Sequence, residues 1–562
     1  MRNVRNRSMV PWSLPDWLLS PLLAACFLGF YNQRFWLELA GATATSSDNP
    51  RLFMLALTTA IFLLLTAAIH LFSIPYVYKL VLVPVIILSA AASHFCDAYG
   101  VYITRDMMRN VFATDPMEAG DLLTWPLGWR LLLWGIIPAW ILIKLPVSHP
   151  EDLAGYGRKI LILLVLPLLA AGVVLGDYSQ FAAFFRNNRQ VKHVLIPSNY
   201  LYATTSYFNR LYQNKNRTLV RIGVDVGKPK NPVMPRLPVL AVVVVGETAR
   251  GQNFSLAGYG RTTNPRLSQV KDLLYFNNVS SCGTDTAISL PCMFSLFDRD
   301  EYDADKAKYQ ENVLDVIQRA GVRVVWLENQ SGCKGVCDRV AQNILTHKQD
   351  PTYCSTGECH DEILLQALEQ ILTDTPRDTL VVLHQMGSHG PAYYKRYPSK
   401  FEQFTPVCQS ADLNKCSRQE IVNAYDNTLL YTDHVLASVI ELLQVQENRY
   451  ESLMLYVSDH GESLGENNLY LHGIPYALAP QEQTKVPMVM WLSEGYRRDF
   501  AVDFGHLSRQ RETPWSHDHL FSTLMGFFNL ASQVYRPQMD ILTGSRKAAP
   551  VTDPGNDIPR KP

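Results

Sequence analysis

The chain has 562 residues, is 48% hydrophobic and carries no formal net charge, with 51 Lys and Arg against 51 Asp and Glu. That length exceeds one ordinary domain, and the balanced charge argues against a nucleic-acid partner. The average conceals a division: residues up to about 180 are mostly apolar, whereas the rest reads as a soluble α/β protein.

Five apolar segments come first, at Leu14–Phe30, Leu52–Phe72, Val77–Cys96, Trp129–Leu145 and Ile160–Leu175. Each approaches the ~20 residues that cross a hydrocarbon core of ~30 Å. The fourth is short and carries Pro138. A cleaved signal peptide is disfavoured, because no clean small-residue cleavage site follows the first segment and four more apolar segments come after it. Arg2, Arg5 and Arg7 precede the first segment, and Lys144, Arg158 and Lys159 flank the loop between the fourth and fifth. Positive charge stays cytoplasmic. The amino terminus is therefore expected inside, and everything after about Asp177 on the far side. The loop Arg105–Asp121 falls on that side too, although Arg105 and Arg109 weaken the bias.

Cysteine usage gives an independent test. Of ten cysteines, Cys26 and Cys96 lie in apolar segments and are expected as packed thiols. The other eight fall in close pairs in the soluble part: Cys282 with Cys292, Cys333 with Cys337, Cys354 with Cys359, and Cys408 with Cys416. An even count at short spacing points to disulfides in an oxidising compartment rather than to a zinc ribbon, whose spacings repeat. Connectivity is open from sequence; nearest-neighbour pairing is the simplest arrangement.

Next, Tyr178–Tyr212 is amphipathic and aromatic-rich, with Phe181, Phe184, Phe185, Tyr200, Tyr202, Tyr207 and Phe208. It suits helices lying at the headgroup level, or packing against the soluble part. Lys228–Leu237 is a Pro-rich linker. Beyond it strands and helices alternate. Strands are expected at Val239–Val245, Val322–Trp326, Thr379–His384, Leu453–Val457 and Val486–Trp491. Helices are expected at Val313–Ala320, Glu362–Leu372, Ile421–Gln444 and Asp518–Phe528. This pattern implies an α/β domain with a mostly parallel sheet and helices on both faces. The expected organisation is a five-helix membrane domain over residues 1–177, bridging helices and linker over 178–237, a catalytic domain over 238–544, and a polar, disordered tail over 545–562.

Two of these strands end in the same way. VVVVGETAR stops at Glu247, and VSDHG stops at Asp459 and His460. Chemistry in open α/β sheets sits outside the carboxyl ends of strands, and two carboxylates with an imidazole suit a divalent transition metal. SCGTDTAISLPCM places Thr284 and Thr286 near a helix start, where free N–H groups attract anions. Pro291 makes that helix short or late. A threonine hydroxyl attacks phosphorus only when a base or metal takes its proton, and the acidic cluster offers that metal. His389 in QMGSHGP, His472 in LHGIP and Lys334 inside GCKGVC are further candidates. His384, His360 and His434 read as structural, and Glu462 as supporting or solvated.

VGETAR, SCGTDTAISLPCMFS, GCKGVCDR, HQMGSHGPAYY, YDNTLLYTD and YVSDHGESLGENNLYLHGIPY, with DMMRNVFATDPMEA and FFRNNR in the membrane part, together resemble the lipid A phosphoethanolamine transferases. These belong to the alkaline phosphatase-like superfamily and include the polymyxin-resistance enzymes. The resemblance covers nearly the whole chain and implies five membrane spans joined to a periplasmic α/β domain at the bacterial inner membrane. It implies zinc held by Glu247, Thr286, Asp459 and His460, with Thr286 as the phosphate-accepting nucleophile. His389, His472 and Lys334 match residues that bind the transferred phosphate or an additional zinc. Asn110, Thr114 and Glu118 match a periplasmic loop that helps hold the phosphoethanolamine head group. Asp285 departs from the family, where a small residue is common, and adds negative charge near an anionic substrate or points to solvent.

The implied reaction transfers phosphoethanolamine from phosphatidylethanolamine to lipid A through a covalent Thr286 intermediate, at the bilayer, by a monomer. The rival acceptors are a core heptose or a periplasmic glucan, or the group moved is glycerol phosphate. A metal-dependent phosphodiesterase or sulfatase is a second class, although no sulfatase motif with a modifiable Cys or Ser is present. A non-enzymatic sensor is a third; it would lack a ligand or the nucleophile, and here all are present.

Overall fold

The computed structural model describes residues 13–46, 49–114, 116–215, 217–229, 235–345, 350–355, 358–374 and 376–546. Arg2, Arg5, Arg7 and the tail beyond 546 lie outside them. The chain divides into two compact units, one of residues 1–113 and 122–213 and the other of residues 114–121 and 214–562.

Among the described residues of the first unit, four helices are long and apolar enough to cross a membrane by length and composition: Pro50–Leu71, Val77–Tyr99, Trp125–Lys144 and Leu153–Gly176. The expected fifth is a shorter apolar helix. Asp16–Phe30 has only 15 residues, about 22 Å at ~1.5 Å per residue. Just past its end, Asn32 donates its side-chain amide to Phe27 O at 2.9 Å and to Ile196 O at 2.8 Å. A second helix, Gln33–Ser46, follows. Pro138, which made the Trp129–Leu145 segment doubtful, is absorbed by a π-helical turn at Leu131–Ile136. That helix therefore starts earlier, at Trp125. Cys96 is buried as expected, but Cys26 is exposed, because it occupies an outward face of Asp16–Phe30.

The aromatic connector packs in part on the apolar helices of the first unit, not on the soluble part. Phe181 and Phe184 pack on Phe53, each with ring centroids 5.0 Å away, and the Tyr200 hydroxyl donates to Val85 O at 3.0 Å. Tyr202, Phe208 and Tyr212, on helix Ser198–Asn214, are exposed.

The second unit is built on a seven-stranded sheet. Its strands are β1 (Val239–Gly246), β2 (Leu274–Phe276), β3 (Arg323–Glu328), β4 (Ala341–Ile344), β5 (Thr379–His384), β6 (Glu451–Ser458) and β7 (Met488–Leu492). In space they run β2-β7-β6-β1-β5-β3-β4. The five from β6 to β4 are mutually parallel. β7 is antiparallel to β6, and β2 is antiparallel to β7. The sheet is thus mixed, with a parallel block and one antiparallel edge, a common design in large α/β sheets.

β1 explains why the block forms. VLAVVVVG is buried at every position, so it suits the middle of a sheet covered on both faces. Val239, Ala241, Val243 and Val245 enter one core with helices Val313–Arg319 and Leu520–Phe527. Leu240, Val242 and Val244 enter the other with Glu362–Leu372 and Arg418–Val445. Each fully buried Val or Leu contributes roughly 1.5–3 kcal/mol. The last helix begins three residues before the expected Ile421, because Ser417 and Glu420 form a reciprocal capping box.

Four disulfides join Cys282–Cys292, Cys333–Cys337, Cys354–Cys359 and Cys408–Cys416, at sequence separations of 10, 4, 5 and 8. Such short loops place each near the lower end of the usual ~2–4 kcal/mol.

Candidate active site

Register brings the functional residues together. In the parallel block, Gly246 of β1 pairs with Ser458 of β6, and Val245 pairs with His384 of β5. His384 in turn pairs with Glu328 of β3. The residues that follow these strand ends, Glu247, Asp459, Gln385 and Asn329, therefore emerge along one edge. The Asp459 N–H donates to Gly246 O at 2.9 Å, and the Gln385 N–H to Val245 O at 3.1 Å.

Glu247, Asp459 and His460 are fully buried. One ligand atom from each lies within 4.8 Å of the others. His460 Nε2 is 3.6 Å from Glu247 Oε1 and 3.4 Å from Asp459 Oδ2. His460 Nδ1 faces Gly461 O at 2.9 Å. A carbonyl there fixes the proton on Nδ1 and leaves the Nε2 lone pair turned to the two carboxylates. Asp459 Oδ1 accepts the N–H groups of Thr248 (3.1 Å) and His460 (2.7 Å), whereas Oδ2 is buried without a hydrogen-bond partner. An orphaned carboxylate oxygen, a second carboxylate and an outward imidazole lone pair are the donor set zinc takes.

Electrostatics agrees. Burial pushes the Glu247 carboxyl up, but the His389 hydrogen bond and charge, with His460 and Thr248, override it and hold the group well below its usual range. Burial and the nearby Glu247 charge push Asp459 well above its usual range. Two buried carboxylates this close cannot both ionise cheaply without a cation between them.

Thr286 opens helix Thr286–Met293, capped by Asp285, whose side chain accepts the Ile288 N–H at 3.1 Å. Asp285 is buried, so its carboxylate faces the helix start and not solvent, where it also favours the helix dipole. Thr286 Oγ1 is 3.0 Å from Glu247 Oε2, 3.3 Å from Oε1 and 3.3 Å from His460 Nε2. The other candidate hydroxyl, Thr284, donates to Ile474 O at 2.7 Å and is committed elsewhere.

His389 Nδ1 lies 3.0 Å from Glu247 Oε1. The loop that carries it passes so close that a Cβ on Gly387 would sit 2.7 Å from Glu247 O, at a φ of +53°, so only glycine fits there. The His472 ring centroid is 4.4 Å from that of His460 and 6.1 Å from that of His389. Its Nδ1 is 3.2 Å from Glu462 Oε1. Glu462 is buried and accepts the Tyr393 hydroxyl at 3.0 Å, a supporting position. Lys334, at a φ of +50°, donates its ammonium to Ser331 O (3.1 Å) and Oγ (3.0 Å). Asn110 belongs to helix Arg105–Ala113 of the first unit. Thr114 and Glu118 group with the second unit, and the Glu118 side chain lies outside the described residues. His384 pairs with Glu328 at 2.9 Å, and His434 with Glu362 at 3.0 Å.

Sequence reasoning missed three contributors. Thr248, at a φ of +61°, donates its hydroxyl to Glu247 Oε1 at 2.6 Å. Gln330 donates its amide to Glu247 Oε2 at 2.9 Å. His517 supports the site from below: its Nδ1 accepts the Cys282 N–H at 3.1 Å, and its Nε2 donates to Ser458 O at 3.0 Å. Only Thr248, inside GETAR, carried a positional signal.

Burial pushes His517 down to about 3, against an ordinary ~6.5. The folded protein therefore holds a neutral ring that the unfolded chain protonates. The associated stability is complete above pH ~6.5 and is lost as pH falls toward 3, by up to ~1.4 kcal/mol per unit. His517→Gln keeps a donor and an acceptor but no titration. The wild-type advantage in melting temperature should shrink between pH 6.5 and 4.5; a gap constant across that range would contradict this.

A sulfatase family profile matches residues 240–530, and a phosphoethanolamine transferase EptA/EptB profile matches residues 61–212. Phosphoethanolamine transferase EptA of Escherichia coli strain K12 is 40% identical over 545 residues, which cover 96% of this chain and 98% of that protein. Phosphatidylethanolamine transferase Mcr-1 of Escherichia coli is 39% identical over 540 residues, 94% of this chain and 96% of that protein. The integral membrane lipooligosaccharide phosphoethanolamine transferase A of Neisseria meningitidis superposes with a TM-score of 0.91 at 38% identity, covering 96% of this chain and 100% of that one.

Proposed function

The chain belongs to the EptA/EptB phosphoethanolamine transferase family, and from that premise we propose that it moves phosphoethanolamine from phosphatidylethanolamine to a phosphate of lipid A, with Thr286 as the covalent carrier. The observation that carries the chemistry is Thr286 Oγ1, at a helix amino terminus, 3.0 Å from a carboxylate of the Glu247/Asp459/His460 cluster.

Glu247, Asp459, His460 and Thr286 would hold zinc, which when bound lowers the hydroxyl pKa and neutralises phosphate charge. Thr286 Oγ attacks the phosphorus of phosphatidylethanolamine. The bond to diacylglycerol breaks, its oxygen leaves as a hydroxyl with the proton that Thr286 gave up, and phosphoethanolamine stays on Thr286. The hydroxyl points at Glu247 Oε2, which accepts its hydrogen bond. His389, His472 and Lys334 supply cationic or N–H groups for the phosphate oxygens, as positioned charges do in phosphoryl transfer. An oxygen of a lipid A phosphate then attacks, and Thr286 is restored. Anchoring belongs to the function: donor and acceptor are both membrane lipids, and the apolar helices of the first unit tether the chain to the inner membrane that holds them, with the catalytic unit in the periplasm. The product masks a phosphate and adds an amine, so the cell binds polymyxins and other cationic peptides less well.

The deciding experiment is mass spectrometry of lipid A from cells with and without the gene. The expected result is a gain of one phosphoethanolamine unit. Unchanged lipid A alongside a modified heptose or glucan would reassign the acceptor.

A further inference from the structure

Glu247 is gripped from several sides, and the grips are unequal. Its Oε1 accepts the Thr248 hydroxyl at 2.6 Å and faces His389 Nδ1 at 3.0 Å. Among the described residues, its Oε2 meets two donors, the Thr286 hydroxyl at 3.0 Å and the Gln330 amide at 2.9 Å. The Thr286 oxygen is the reacting atom in the reading above, so it is not a fixed support for the carboxylate. Gln330 is the remaining contact on Oε2, and the terminal torsion of a Glu side chain is soft.

Gln330 is built to serve as that support. It is 3% exposed and stands two residues beyond the end of β3. Its backbone N–H donates to Glu328 Oε1 at 2.8 Å. Glu328 is itself buried and pinned, by Trp326 Nε1 at 2.8 Å and by His384 Nδ1 at 2.9 and 3.1 Å. The Gln330 side-chain oxygen accepts the Ser331 N–H. The carboxylate oxygen only accepts, so the NH₂ end of the amide faces Glu247; the reversed amide would set two oxygens against each other. The same segment continues to Ser331, which receives the Lys334 ammonium. One short stretch after β3 thus fixes both the carboxylate and the lysine.

We propose that Gln330 is the positioning residue for the metal-binding carboxylate, orienting Glu247 through Oε2 from a base of Glu328, His384 and Trp326. The inference rests on the zinc reading of the Glu247/Asp459/His460 cluster. Partners that orient a ligand from behind typically change metal affinity or activity by ~10–100-fold when removed.

Gln330→Met tests this, because methionine keeps the length and near volume of glutamine but has no N–H to donate. The measurement is zinc affinity of the full-length chain in detergent, by competition with a chelator, beside the zinc-free melting temperature. The expected result is a zinc affinity ~10–100-fold weaker, with the zinc-free melting temperature close to wild type and transfer recovering at saturating zinc. Gln330→Asn, which keeps the amide but is one methylene short, should show the same loss if the Met variant does not fold. Wild-type zinc affinity in a folded variant overturns the positioning role while leaving the metal reading intact. A wild-type chain that binds no zinc overturns the metal reading, and this inference with it.

Discussion

Thr286→Ala abolishes transfer and leaves the fold in place. The expected loss is at least ~10³-fold in kcat, since removing an attacking oxygen leaves only binding and charge stabilisation. The fold should survive because the Thr286 hydroxyl makes its contacts with Glu247 and His460, while the helix start is held by Asp285. Alanine is also the best helix former. Thr284→Ala is the control. Its hydroxyl bonds Ile474 O, so its loss costs a hydrogen bond, ~1 kcal/mol of stability, and little rate. Incubation with phosphatidylethanolamine should add one phosphoethanolamine mass to the wild-type peptide that holds Thr286 and none to the Ala variant. Retained turnover in Thr286→Ala, with Thr284→Ala inactive, would move the nucleophile by two residues.

The parallel block was legible in the sequence because its strands are buried on both faces and so appear as unbroken apolar runs. Thr379–His384 was placed to the residue, and β1 and β6 nearly so. The strands that escaped lack that signature. Leu274–Phe276 is three residues long, too short for a period. Ala341–Ile344 is a largely exposed edge that reads as polar AQNI. Direction escaped as well: Met488–Leu492 is as apolar as its neighbours, and composition does not say that it runs antiparallel to β6. The first apolar segment had the right composition, but its helix ends at Phe30 and a second begins at Gln33, a break no apolar run announces.

The site follows the same logic. Glu247, Asp459 and His460 stand directly after apolar strands, and parallel register carries strand ends to one edge, so linear order was enough to suspect them. Gln330 and His517 act through contacts 83 and 59 residues away in sequence, to Glu247 and to Ser458. A glutamine in ENQSGC looks like any polar loop residue until β3 is seen beside β5. Asp285 was open between substrate and solvent; it is buried and caps the Thr286 helix, the role a residue just before a helix most often takes.

Removal of the metal should abolish transfer, and zinc should restore it. The sharper form of this expectation is Asp459→Asn, where function and stability move differently. Zinc binding should fall by two orders of magnitude or more, since an anionic ligand becomes a neutral amide, and transfer should fall with it. Yet the metal-free variant should melt at or above the wild-type temperature. Asparagine keeps the side-chain oxygen that accepts the Thr248 and His460 N–H groups. It also replaces the orphaned Oδ2 with a donor and removes a carboxyl whose ionisation burial and the Glu247 charge already oppose, a change that is often neutral or stabilising. A structural carboxylate would behave otherwise, with stability falling and zinc content unchanged. If Asp459→Asn retains zinc and activity, the cluster is not the metal centre. If its metal-free form melts well below wild type, the two carboxylates are not held together at a cost that a cation relieves.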